Sequence, residues 1–177
     1  MMKKGFKIAF YVIAVFYVFL MLDLFFRINV ISSGGGIARS YNLIPFRTIW
    51  GYASRNIHVS KSLILNNILG NIAVFIPYGL YLQVLLKNKA FGKSLLAVII
   101  TSVSIELIQF IFVIGAADID DFILNVCGGI IGILGYKVLR KLFREAGKTK
   151  TAVTLISLIV GLPVMFLYFM VCIYRYF

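Results

Sequence analysis

Apolar residues fill five stretches of this chain, roughly 6–28, 62–86, 93–114, 121–139 and 151–174. Each is close to the ~20 residues a helix needs to cross a hydrocarbon layer about 30 Å thick. Polar punctuation separates them. The first connection, about residues 29–61, is long, with Ser32-Ser33-Gly34-Gly35-Gly36 followed by YNLIPFRTIWGY, whereas the other connections are short. The pattern predicts an all-α, polytopic membrane helix bundle of five transmembrane helices, one domain over residues 1–177. The start, MMKKGFKIAFYVIAVFYVFLML, has a basic and then an apolar stretch with no prompt small-x-small cleavage site, and is expected to be an uncleaved signal anchor.

Composition strengthens this reading. With 62% hydrophobic and 14% charged residues in 177, a water-soluble fold of this size has no way to hide its apolar surface. The formal charge of +12 is distributed between the apolar runs, so it speaks for orientation and against nucleic-acid binding. Twelve Lys and Arg flank one set of helix ends (Lys3 to Lys7, Lys87 to Lys93, Lys137 to Lys150) and six flank the other. The excess predicts a cytoplasmic amino terminus and, with five spans, an outward carboxyl terminus. Cys127 and Cys172 lie apart within apolar segments and signal neither a disulfide framework nor a zinc site.

The polar residues inside the spans are the unusual ones. Four of the six acids fall within SIELIQFIFVIGAADIDDFILN, residues 104–125: Glu106, Asp118, Asp120 and Asp121. Ser102, Glu106 and Gln109 share one helical face at i, i+4, i+7; Asp118, Asp121 and Asn125 repeat at i, i+3, i+7; Asn67 and Asn71 are one turn apart. In the predicted orientation all of them lie toward the outer ends of their helices. A glutamate inside a span is expected to face the bundle, water or a cation, and Arg47 is its simplest partner. One or two of the aspartates are expected to cap helix starts, and amides in spans also act as interhelical glue.

Further features shape the expectations. Pro77 and Gly79 in FIPYG predict a kinked or unwound second span. Gly128, Gly132 and Gly135 predict a close approach of the fourth span to a neighbour. His58, the one histidine, reads as a solvated or interfacial residue, and Trp50, Tyr41 and Tyr52 suit an interfacial belt. No resident metal or other cofactor is expected. Glu106, Asp118 and Asp121 are the only candidate ligands for a hard cation, and their spacing is not that of a calcium loop.

Four blocks in order resemble the VanZ-like family of membrane proteins: NLIPFRTI at 42–49, NILGNIAVFIPYG at 67–79, SIELIQ at 104–109 and DIDDFILNVCGGIIG at 118–132. Together they cover about residues 40–136. The family pattern maps onto Asn42, Pro45 and Phe46, then Asn67, Asn71, Pro77 and Gly79, then Glu106 and Gln109, and finally Asp118, Asp121, Asn125 and Gly128. Relatives often carry an arginine just before the aspartates, whereas this chain has Gly115-Ala116-Ala117. The family is named for a teicoplanin-resistance protein, so the resemblance implies a multi-pass protein of a bacterial cytoplasmic membrane that lowers susceptibility to teicoplanin-type glycopeptides.

Three function classes follow. The first is an outward-facing polar pocket for a membrane lipid headgroup or cell-wall precursor, with Glu106 and Asp121 supplying charge. Asn42, Asn67, Asn71, Gln109, Asp118 and Asn125 would orient the ligand there, and Arg47 would pair with a carboxylate or anion. The second is an intramembrane hydrolase or transferase on a lipid-linked substrate with Glu106 or Asp121 as general base; no nucleophile motif accompanies them. The third is a transporter or assembly scaffold.

Overall fold

The computed structural model describes residues 4–26, 41–53, 61–86 and 91–176. The elements run α1 (Lys4–Phe26), β1 (Tyr41–Asn42), α2 (Arg47–Ala53), α3 (Lys61–Leu85), α4 (Phe91–Phe112), β2 (Ala117–Asp118), α5 (Ile119–Phe143) and α6 (Ala146–Tyr176). Five of these helices, α1, α3, α4, α5 and α6, are long and apolar enough to cross a membrane, which establishes the multi-pass helical architecture read from the hydropathy pattern. The bounds differ at the ends: α5 continues one turn past 139 and α6 begins at Ala146. Lys and Arg side chains in those turns extend past the apolar run, so helix and hydrocarbon limits do not coincide.

Two compact units divide the chain: Met1–Met21 with Tyr136–Phe177, and Leu22–Gly135. In the first, α6 meets α1 at Gly161, where an added Cβ would lie 2.7 Å from Ile13 Cδ1. Phe16 and Phe19 of α1 make edge contacts with Tyr168 of α6, with ring centroids 6.1 Å apart in both pairs. Much of α6 carries exposed apolar side chains, among them Ile159, Phe166 and Val171, as expected of a helix surrounded by lipid tails.

The second unit is built around α3, α4 and the first half of α5. Gly128 and Gly132 let α5 lie directly on the α3 backbone, since an added Cβ at either would fall on the carbonyl oxygen of Ile72 or Ile76. Gly79 of α3 meets the backbone of Gly129 in the same way. Gly135, expected to share this role, has nothing near its missing Cβ. The expected break at Pro77 does not occur as an unwinding: α3 stays helical from Lys61 to Leu85 with the proline inside. Unwinding would strand several backbone groups in hydrocarbon, which costs more than the single N–H that proline lacks.

The long first connection contains structure that hydropathy did not predict. Residues Tyr41 and Asn42 pair in parallel with Ala117 and Asp118, and α2 follows after a turn through Pro45 and Phe46. His58 lies outside the described residues.

Candidate functional site

The site begins where α4 ends. Val113 takes a left-handed conformation (φ 55°) and the Ile114 N–H reaches back to the Gln109 carbonyl, 3.1 Å away, which closes the helix with a six-residue turn. A left-handed β-branched residue costs roughly 1–2 kcal/mol, so surrounding contacts must hold it. The reversed chain then brings the Asp118 N–H onto Glu106 Oε2 at 2.9 Å, tying the start of α5 to the last turns of α4. Glu106 is 9% exposed.

Three neighbouring aspartates do three different things. Asp118 caps its own helix, its Oδ1 accepting the Asp120 N–H at 2.9 Å. It also holds the first connection: Asn42 Nδ2 donates to Oδ1 at 3.1 Å and Thr48 Oγ1 donates to Oδ2 at 2.6 Å. Asp120, 1% exposed, caps a different helix altogether. Its carboxylate accepts the N–H groups of Phe46, Thr48 (2.9 Å) and Ile49 (3.2 Å), the otherwise unpaired donors at the start of α2. Phe46 sits there with φ 63°, a left-handed turn that aims its N–H at Asp120. Asp121, half-buried, accepts Asn71 Nδ2 at 2.7 Å and so links α5 to α3.

One turn further into α5, Asn125 donates to Ser102 Oγ at 3.2 Å, fully buried, with its Oδ1 unpaired. Gln109 Nε2 donates to the Phe25 carbonyl at 2.9 Å, in the last turn of α1. Asn67 lies one turn before Asn71 on α3, half-buried. The structure thus brings Asn42, Glu106 and Asp118 into one hydrogen-bonded group, and Asn71 with Asp121 and Asn125 with Ser102 into helix-to-helix pairs.

Arg47 behaves differently from expectation. Its side chain is exposed, and it forms no ion pair with Glu106, whose Oε2 is occupied by a backbone N–H instead. The N–H supplies a donor that is already desolvated and fixed by the turn, whereas bringing the guanidinium in would cost its hydration. Among the described residues, no three His, Cys, Asp or Glu side chains converge as a metal-holding group, Glu106, Asp118 and Asp121 included.

Beside this network is a partly open cavity of about 410 Å³ between β1, α4 and the β2–α5 junction. Glu106 and Asp118 are its only charged lining residues among those described; the rest of its wall is apolar and aromatic, including Leu43, Val103, Leu107 and Phe122. A pocket of mainly polar character was expected, yet most of the amides are consumed in pairs between helices. Sequence reasoning also missed Thr48, which lies within NLIPFRTI but outside any predicted helix, and the role of Asp120.

The family model described as VanZ/LLP1 matches residues 8–140. Protein VanZ of Enterococcus faecium is 34% identical over 113 residues, an alignment that takes in 64% of this chain and 62% of the length of that relative. No solved structure matches.

Proposed function

Because this chain belongs to the VanZ/LLP1 family, we propose that it acts in the cytoplasmic membrane of a bacterium to lower susceptibility to teicoplanin-type glycopeptides. Its amino terminus is cytoplasmic in this reading, and the cavity beside Glu106 faces the outer leaflet, where it receives a cell-envelope lipid or its headgroup. The observation that carries the proposal is the bond from the Asp118 N–H to Glu106: it holds a nearly buried carboxylate in the wall of a partly open cavity, between two of the sequence blocks read above as family-like. Asp118 and Asp120 are occupied with the first connection and with α2, which leaves Glu106 and Asp121 as the carboxylates with free capacity for a ligand.

The placement of Glu106 against an apolar cavity also favours a second reading, a hydrolase or transferase on a lipid-linked substrate with Glu106 as general base. The experiment is expression in a sensitive Gram-positive host at matched membrane levels, with empty vector and Asp121→Asn alongside. Raised tolerance to teicoplanin with little change for vancomycin supports the proposal; tolerance equal to empty vector removes it. Cysteine labelling from outside should reach position 47 and not position 141, and the reverse pattern would invert the orientation.

A further inference from the structure

The α4 face made by Leu96, Ile100, Val103, Leu107 and Ile111 is exposed along its length, with Leu107 at 54%. Those positions repeat at i, i+4, i+7, i+11, i+15, one stripe of a helix. On a membrane span such a stripe meets lipid tails and not water. Val103 and Leu107 belong to this stripe and also line the cavity, as do the exposed Tyr41 and Leu43 of the first connection. The cavity therefore opens sideways into the bilayer, and what enters it comes from the leaflet.

Its walls specify the chemistry of the entrant. At about 410 Å³ it is within the range of sites that bind small molecules. The apolar lining fits an alkyl chain. At its polar end, Asp118 already accepts three hydrogen bonds, whereas Glu106 accepts one, from the Asp118 N–H. Among the described residues no Lys or Arg is ion-paired to Glu106, Asp118, Asp120 or Asp121, although an uncompensated carboxylate in a span is costly. We infer that the cavity is a lateral binding site for a membrane amphiphile, with its alkyl chain along Val103, Leu107 and Phe122 and an ammonium-bearing head donating to Glu106. The inference rests on the Glu106-centred site proposed above and names the class of molecule that occupies it.

The test uses the full chain in nanodiscs of unbrominated lipid. Trp50 is the sole tryptophan, so Trp50→Phe combined with Phe110→Trp places a single fluorophore on the cavity wall. The probes are 11-bromoundecylammonium, 11-bromoundecanol and 11-bromoundecanoate, whose bromine quenches tryptophan on contact. Saturable quenching is expected, about tenfold tighter for the ammonium than for the alcohol or the carboxylate, as suits one charge-assisted hydrogen bond. Val103→Phe on α4 and Leu43→Phe just after β1 each add bulk to the cavity lining, and either should abolish saturation; Glu106→Gln should keep chain binding and erase the head preference. Quenching that never saturates, or that is alike for all three heads, overturns the inference. The same variants separate it from the functional reading. Cavity-filled variants that lose quenching but keep teicoplanin tolerance leave the amphiphile site standing and remove its link to resistance. Head-independent quenching together with loss of tolerance in Glu106→Gln does the opposite.

Discussion

The two units of the molecule share glycine and ring packing and differ in the hydrogen bonds that join one helix to another. In the unit of Met1–Met21 and Tyr136–Phe177, contacts between α1 and α6 among the described residues include Phe16 and Phe19 on Tyr168 and Ile13 on Gly161. In Leu22–Gly135 glycine and ring contacts are joined by buried hydrogen bonds between Asn125 and Ser102 and between Gln83 and Ser94, by the part-buried bond from Asn71 to Asp121, and by the acids at the start of α5. Lipid tails are as apolar as the side chains that contact them, so ring contacts supply packing without fixing a unique arrangement. Hydrogen bonds in hydrocarbon do fix one, because each alternative leaves a polar group unpaired. The lesson is that a scaffold can be made from the first kind, whereas a site needs the second.

Substitutions sharpen that contrast. The largest effect is expected at Asp120: Asp120→Ala removes the acceptor for three N–H groups, with a loss of about 3 kcal/mol or more. Limited proteolysis in detergent should then cut within 41–53 while cleavage near α6 is unchanged. Gly132→Ala should cost about 1–3 kcal/mol, because the new methyl meets the α3 backbone and neither helix can yield easily; thermal unfolding in detergent measures it. Asn71→Ala comes next, at roughly 1 kcal/mol, in line with hydrogen bonds between membrane helices. Phe16→Leu, in the ring-packed unit, should lose about 1 kcal/mol or less, and a larger loss than at Asp120 would break the comparison. Arg47→Ala should change stability by no more than about 0.5 kcal/mol, since its side chain is exposed and unpaired with Glu106.

The reach of the sequence follows the range of the interactions. Five spans were legible because each is a local property of some twenty residues, and the shared faces of Glu106 with Ser102 and of Asp121 with Asn125 followed from helical period alone. The capping of α5 by Asp118 was legible for the same reason, being a bond across two residues. The role of Asp120 was not, since its partners lie 71 to 74 positions away and are backbone groups that leave no trace in residue type. The helix α2, seven residues without acidic capping of its own, was hidden inside a connection that hydropathy reads only as non-spanning. Arg47 was misread because charge complementarity in a sequence does not count the backbone N–H as a competitor. The apolar character of the cavity was also out of reach: which side of Val103 and Phe122 remains uncovered depends on where β1 settles.

The central claim is a division of labour among the carboxylates, with Asp118 and Asp120 holding the fold and Glu106 serving the ligand. The most direct measurement pairs thermal unfolding with teicoplanin susceptibility for the wild type and Glu106→Gln at matched membrane levels. Glutamine keeps an oxygen for the Asp118 N–H, so the midpoint is predicted to stay within ~3 °C of the wild type while tolerance falls to the level of empty vector. A variant that keeps full tolerance, or one that loses tolerance only because it unfolds, would contradict the claim.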